Sequence, residues 1–304
     1  MIQLLKHNEI DKPRWDECIQ NSPNGLIYAY SWYLDFISPK WEAMVRGDYE
    51  FIMPLTCKKK YAISYLHQPF FCQQLGVFSH HQLTEHDVDE FLSQIPKKFK
   101  FIEINLNSRN PSHHHDFDSK ENKNFELDLI DNSENIFKSF AENTVRNIKK
   151  SLKEKLTLKK NIPVEDIIRL FRANRGKDID KITNSHYKMF SHLIHFCEGI
   201  KAAETYGVFT SDNELCAGAV FCSSNNRFIF LFSGLSEKGK EKGAMFFLFN
   251  EFIKEHSGKN VILDFEGSND KNLARFYKGF GSKESVYLQV RKNSLPKMVR
   301  WLKK

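Results

Sequence analysis

Alternation of apolar and polar positions with a period of two predicts short strands at 2–6, 41–46, 50–56, 62–66, 99–106 and 125–130. Helical spacing predicts a short helix over 11–20 with Pro13 in its first turn, and an aromatic-rich helix from Tyr28 to Phe36 that Pro39 ends. Thr84 is placed to cap a helix over 85–94, with Glu85, Asp87 and Asp89 in the first turns, where the helix dipole favours acids. The stretch from Asn107 to Asn124, NSRNPSHHHDFDSKENKN, is polar throughout and reads as an irregular surface loop. Phe137, Ala141, Val145, Ile148 and Leu152 then recur at helical spacing, which predicts one long helix starting at Asp131-Asn132-Ser133. The domain boundary is expected near 130, giving residues 1–130 and 131–304.

The second half is more sharply punctuated. A strand at 156–160 precedes a helix running from Pro163-Val164-Glu165 to about Arg172, and a further helix covers 181–198. Strands at 201–210, 215–224 and 227–233 are separated by turn signals at Ser211-Asp212-Asn213 and Ser224-Asn225-Asn226. A charged, glycine-bearing loop at 236–243 leads into the apolar helix AMFFLFNEFIKEH. The most informative segment is 261–281, VILDFEGSNDKNLARFYKGFG. Its apolar run ends in Asp264 and Glu266 and breaks at Gly267, and Ser268 to Lys271 are loop and cap types. Asn272 to Lys278 form a short helix that Gly279 stops, and a last strand follows at 285–291. Ligands of open α/β sheets bind outside the carboxyl ends of strands, so this strand end is where a site is expected.

Composition bounds the reading. A chain of 304 residues favours about two domains, and 41% apolar residues with 27 Phe supply material for two cores. No run approaches the ~18 apolar residues of a membrane span, and the N-terminus lacks the ordered features of a secretion signal. A cytoplasmic protein is therefore expected. Six cysteines without a C-x-x-C pair read as free thiols rather than a disulfide framework or zinc site. The net charge of +7 is compatible with an anionic ligand such as a nucleotide or tRNA without requiring one.

Among candidate residues, Tyr277 offers a phenol for protonating a leaving group, or a ring packed with Phe276 and Phe280. Asp264 and Glu266 share a strand face and could take a proton from an attacking amine, or sit as solvated strand-end acids. Glu204, on strand 201–210, is a second candidate base. Arg146, Lys149, Lys150 and Lys153 form a basic stripe at i, i+3, i+4, i+7, suited to phosphates or to solvent. His113-His114-His115 reads as surface loop, and His192 and His195 share a helix face without a metal signature, so no metal is expected. In the first domain, Gln68, Gln73 and Gln74 with the rings of Tyr30, Trp32, Tyr33 and Tyr65 suit either a pocket for a polar small molecule or peptide, or a buried amide cluster.

This element order, with the run N-D-K-N-L-A-R-F-Y-K-G-F-G and the helix TVRNIKKSLKEKL (144–156), resembles the GCN5-related N-acyltransferase superfamily. The resemblance is closest to its two-domain branch, the Fem-type peptidoglycan-bridge aminoacyltransferases and related acetyltransferases. YAYSWYLD and YLHQPFFCQQLGVF look like the matching first domain. The resemblance implies an α/β (α+β) fold of tandem acyltransferase-like domains, each a mixed, mostly antiparallel sheet flanked by helices. It puts Tyr277 on the position of the thiolate-protonating tyrosine. The superfamily's Q/R-x-x-G-x-G/A phosphate loop is replaced here by Lys238-Gly239-Lys240-Glu241-Lys242-Gly243-Ala244, whose spacing differs.

An N-acyltransferase is accordingly expected, with Tyr277 and Glu266 catalytic and acyl-CoA (acetyl-CoA) as donor. The donor is expected along Ser233, Gly234, Leu235, Lys240, Lys242, Gly243 and Ala244, with Asn269 and Asn272 nearby. The acceptor, an amine of a small molecule or peptide, is expected at Gln68, Gln74, Tyr30, Trp32, Glu204 and Asp264, in a cleft that the first domain completes. Two alternatives stay open: an aminoacyl-tRNA-dependent ligase acting on a cell-wall precursor, and a non-catalytic binder on the same scaffold. Oligomeric state is not legible in the sequence.

Overall fold

The computed structural model describes residues 1–179, 181–267 and 269–296. The chain forms two compact units, Met1–Asn122 with Val286–Lys304, and Lys123–Ser285. The sequence places the boundary near 130 and gives all later residues to the second domain. Instead the first unit closes at Asn122 and takes back the end of the chain from Val286. No turn marks either crossing, because each falls inside a continuous strand, and that is why sequence pattern misses it.

In the first unit, β1 (Ile2–Leu5), β2 (Glu42–Arg46), β3 (Phe51–Leu55) and β6 (Phe78–Ser79) form one antiparallel sheet in the order β1-β2-β3-β6. A second set runs β4 (Cys57–Lys60), β5 (Ile63–His67), β7 (Phe99–Asn105) and β14 (Lys283–Asn293), with β5 and β7 parallel. The helices are α1 (Lys12–Asn21), α2 (Ser31–Ile37) and α3 (Glu85–Ser93). Asp11 caps α1 by accepting from the Arg14 N–H, with Pro13 in the first turn as expected. Thr84 and Asp87 close a capping box on α3. The core packs Val88, Phe91 and Leu92 of α3 against Met53, Leu66 and Ile102, and Trp15 and Trp41 pack with centroids 4.7 Å apart.

In the second unit the sheet order is β8-β13-β12-β11-β10-β9, from β8 (Asp118–Asp128), β9 (Thr157–Lys160), β10 (Ala203–Phe209), β11 (Leu215–Ser224), β12 (Arg227–Leu235) and β13 (Ile262–Asp264). Every pairing is antiparallel except β12 with β13. The helices are α4 (Ser133–Lys138), α5 (Glu142–Ser151), α6 (Val164–Ala173), α7 (Asn184–Gly199), α8 (Glu237–Glu241), α9 (Ala244–His256) and α10 (Lys271–Lys278). The apolar helix α9 lies in the core, where Phe252 stacks on Phe221 at 3.8 Å and Phe249 meets Phe265 at 5.1 Å.

Several expectations need correction. The polar segment 107–124 is not all loop, because β8 starts at Asp118; Asn122 and Asn124 are buried while Glu121 and Lys123 face solvent. Strand pairing asks for backbone groups, not apolar side chains, so this strand carries no hydrophobic signal. The long helix from 131 is two helices: Ala141 adopts an extended conformation and its N–H bonds the Gly279 carbonyl at 2.9 Å. The 236–243 loop is mostly the helical turn α8, capped by Ser236 accepting from the Gly239 N–H. A run of lysines hid β4, whose sequence Cys57-Lys58-Lys59-Lys60 has no alternation to read. Ser268, expected in the turn before α10, lies outside the described residues. All six cysteines are free thiols, and Cys57 is the one not buried. Among the described residues no helix is long and apolar enough to cross a membrane.

Candidate active site

The parallel pairing of β12 and β13 lasts three residues, from Arg227 opposite Ile262 to Ile229 opposite Asp264. The chain then leaves β13 through Glu266, whose φ of 54° is left-handed, while β12 runs on to Leu235 beside β11. A register shift between Val220 and Phe221 leaves Leu231 as the extra residue on β12. Such a bulge bends a strand and re-aims its side chains. Where the two strands part, a cavity of about 600 Å³ opens within the second unit.

Four elements wall it: the end of α6 with Phe171 and the following Asn174 and Arg175, β12 with Phe230, Ser233 and Leu235, the α8–α9 segment from Glu237 to Phe246, and α10 with Leu273, Phe276 and Tyr277. Two glycines make this packing possible. Gly234 lets α6 approach β12, since a Cβ there would stand 2.8 Å from both the Ile167 carbonyl oxygen and the Phe171 nitrogen. Gly243 adopts φ 68° as the N-cap of α9, where a side-chain-free residue enters the left-handed region cheaply. That cap supplies no side-chain acceptor, so the first-turn N–H groups of α9, at Ala244, Met245 and Phe246, meet the cavity without a capping side chain.

Tyr277 lies on the buried face of α10 and is 7% exposed. Its ring stacks on Phe265 at 5.0 Å and meets Phe125 at 6.1 Å, and its hydroxyl has no hydrogen-bond partner among the described residues. Burial pushes the phenol pKa above its ordinary value, the Glu266 charge adds to that, and Arg175 pulls the other way. The phenol is therefore protonated and poised to donate at neutral pH. Arg175, at the cavity wall, makes no ion pair among the described residues.

The structure brings together Ser233, Leu235, Lys240, Gly243, Ala244 and Tyr277 in one cavity wall. Other expected residues lie elsewhere. Gly234 is taken up by helix–strand packing. Lys242 pairs with Glu154 at 2.5 Å. The Asn269 side-chain oxygen accepts the Lys123 N–H at 3.2 Å, and Asn272 is exposed in the first turn of α10, outside the cavity wall. Lys240 stands 3.6 Å from Glu237 on the same turn.

Asp264 is 3% exposed and serves the fold rather than an open cleft. Arg227 meets it at 2.7 Å, the Asn124 amide donates to it at 3.0 Å and the Glu266 N–H at 2.8 Å. Burial pushes its carboxyl up against the pull of Arg227. Two residues from Glu266, the same strand face thus turns inward, which alternation alone could not decide.

Glu204 sits outside the cavity, accepting from the Tyr206 hydroxyl at 2.6 Å. Glu255 and His256 converge on the same hydroxyl, both at 3.4 Å, and Lys160 pairs with Glu255. These three acids and bases are the one group among the described residues whose ligand atoms approach within 4.8 Å of one another, and the Tyr206 hydroxyl and Lys160 already satisfy them.

In the first unit the glutamines hold the 67–78 segment in place. Gln68 accepts the Asn105 N–H at 2.9 Å and donates to the Cys72 carbonyl at 2.8 Å; Gln74 accepts the Ser108 N–H at 2.9 Å. The Gln74 amide also donates to the Gln73 side-chain oxygen at 2.6 Å, so these amides form a mutually satisfied cluster. Tyr30 and Trp32 stack at 5.6 Å and stay half-buried. Burial, with the nearby Asp16 charge, pushes the Tyr30 phenol up to about 12.

Sequence reading missed Phe171, Asn174 and Arg175, which reach the cavity from the end of α6. Asn174 and Arg175 follow the end of α6 at Ala173, beyond the reach of helical spacing.

No protein-family model and no curated protein matches the chain. Solved structures do. It is similar to FemX over 99% of both chains, with 13% identity and a TM-score of 0.68. It is similar to the C-terminal domain (DUF2156) of a protein from Agrobacterium fabrum assigned as a lysylphosphatidylglycerol synthetase, over 96% of this chain and 94% of that one, at 10% identity and TM-score 0.57. It is also similar to L-PGS from Bacillus licheniformis, over 88% and 89%, at 11% identity and TM-score 0.52. The chain thus has the two-domain fold of FemX, as the sequence resemblance implied.

Proposed function

We propose that the cavity of the second unit transfers an acyl group onto an amine, with Tyr277 as the general acid. The observation that carries this reading is the Tyr277 hydroxyl, attached to a buried, aromatic-packed ring yet without a hydrogen-bond partner among the described residues, at the wall of a cavity of about 600 Å³. A structural tyrosine buried to this degree ordinarily finds a hydrogen bond.

Acyl-CoA is the donor the cavity fits best. The uncapped first turn of α9 and the unneutralised Arg175 give it donors for an anionic phosphate group. In the step itself the amine nitrogen attacks the thioester carbonyl carbon and the C–S bond breaks. The departing thiolate takes the Tyr277 proton, and the amine proton passes through water to Glu266, whose charge already reaches that phenol. Proton return from Glu266 to Tyr277 closes the cycle, with amide and free thiol as products. The part of β12 beyond Ile229, unpaired with β13, offers backbone N–H groups for the carbonyl oxygen. Thermal stabilisation by CoA, lost on Met245→Asp, which sets a carboxylate at the α9 N-terminus, tests the donor site.

A second reading, aminoacyl-tRNA as donor, rests on the basic stripe of α5. Arg146, Lys149, Lys150 and Lys153 line a groove of about 540 Å³, and Lys149 and Lys153 make no ion pair among the described residues. It requires salt-sensitive tRNA binding that Lys149→Glu with Lys153→Glu removes.

A further inference from the structure

The first unit holds a pocket of its own, of about 500 Å³, between the end of α2 and the edge strand β4. Its charged wall is Lys40, Lys58 and Lys59, none of which makes an ion pair among the described residues. A fourth lysine, Lys98, is spent on Glu42, which it meets through both carboxylate oxygens at 2.7 and 2.6 Å, so the pocket's one acid is neutralised. Lys58 is an exposed residue whose pKa is lowered by desolvation, with no carboxylate set against it. Ser38 also lines the pocket. It is 3% exposed, and its hydroxyl is buried without a hydrogen-bond partner. At the end of α2 the Leu34 and Ser38 carbonyls accept from the Ser38 and Trp41 N–H groups. Ile37, Pro39 and Phe99 complete an apolar floor.

We propose that this pocket binds a phosphate monoester bearing an apolar body. Three unneutralised ammonium groups match a group that carries about −1.5 to −2 charge and three acceptor oxygens. An orphaned buried hydroxyl costs stability until a ligand oxygen accepts from it. The apolar floor takes the ester's carbon chain. A purely structural role for the lysines is also defined: β4 is a sheet edge, and edge lysines discourage pairing with other chains. That role explains neither the unpartnered Ser38 hydroxyl nor the pocket behind it. The proposal is independent of acyl transfer in the second unit.

Calorimetric titration of the full chain with hexyl phosphate and with inorganic phosphate tests it. Hexyl phosphate is expected to bind about tenfold or more tightly than inorganic phosphate, from burial of its chain. Lys58→Gln with Lys59→Gln should weaken hexyl phosphate about tenfold or more, as expected for lost charge-assisted hydrogen bonds. Ser38→Ala separates ligand binding from folding, because it should leave the free protein as stable or more stable while weakening the ester. Sedimentation with vesicles of equimolar phosphatidic acid and phosphatidylcholine, competed by hexyl phosphate, would identify the phosphate monoester as a lipid headgroup; hexyl phosphate binding without sedimentation would identify a soluble ester. Either result upholds the site. Failure of hexyl phosphate to bind, or equal binding by the lysine and serine variants, overturns it.

Discussion

Arg227 and Asp264 form a buried ion pair at 2.7 Å, joining β12 to β13 just before the two strands part. Glu126 on β8 shares the same guanidinium at 3.0 Å, so three neighbouring strands are tied at the root of the cavity. Arg227→Ala leaves the buried Asp264 and the half-buried Glu126 without a counter-charge, and removal of one partner from such a group costs about 3–5 kcal/mol. Urea unfolding should show that loss. A loss below about 1 kcal/mol, in the range of an exposed pair, would mean the cluster is solvated.

Gly234→Ala places a methyl against the Ile167 carbonyl and the Phe171 nitrogen at 2.8 Å. Both are backbone atoms of α6, so relief requires the helix to move away from β12. Overpacking of this kind costs about 1–3 kcal/mol, and because α6 carries Phe171 into the cavity wall, the same variant should weaken CoA stabilisation. Unchanged stability together with unchanged CoA binding would remove Gly234 from the account of the site.

The first unit supplies a pH dependence. Burial alone would raise the Asp87 carboxyl, but hydrogen bonds from Thr84 and the Arg46 guanidinium hold it below its ordinary value. A folded-state pKa below the unfolded one contributes stability that is present above pH about 4 and lost as pH falls further. Asp87→Asn should therefore flatten the acid limb of a stability–pH curve measured by urea midpoints. An acid limb as steep as that of the parent protein would assign the loss to other carboxylates.

Much of the fold was legible where a local rule and a tertiary partner agreed. Thr84 and Asp87 spelled their capping box, and Asn225 and Asn226 took the left-handed turn their types favour. The misses have tertiary causes. Ala141 keeps helical spacing between Phe137 and Val145, yet the Gly279 carbonyl draws its N–H out of the helix. Asp118 to Asn124 form a strand because neighbouring backbones pair with it, which no side-chain period reports. The motif singled out Tyr277, which lines the cavity, whereas Asp264 is buried away from it, because alternation gives a face and not the direction that face points. Arg175 lay just beyond a helix end, where pattern says least.

If Tyr277 is the general acid of the proposed transfer, its raised phenol pKa sets the alkaline side of the pH profile. Burial and Glu266 keep Tyr277 protonated beyond the ordinary tyrosine value of about 10. Transfer measured against pH should show no alkaline decline from this group up to about pH 10. A decline centred near pH 8, abolished in Tyr277→Phe, would mean that the phenol is acidified instead.

The most direct measurement is the release of free thiol from acetyl-CoA in the presence of mixed amine acceptors, comparing the parent protein with Tyr277→Phe, alongside thermal stabilisation of both by CoA. Loss of a general acid costs about 10²–10⁴ in rate, so turnover should fall by at least a hundredfold while CoA stabilises both proteins alike. Turnover equal in the two proteins, or no stabilisation of either by CoA, would contradict an acyl-CoA transfer site built around Tyr277.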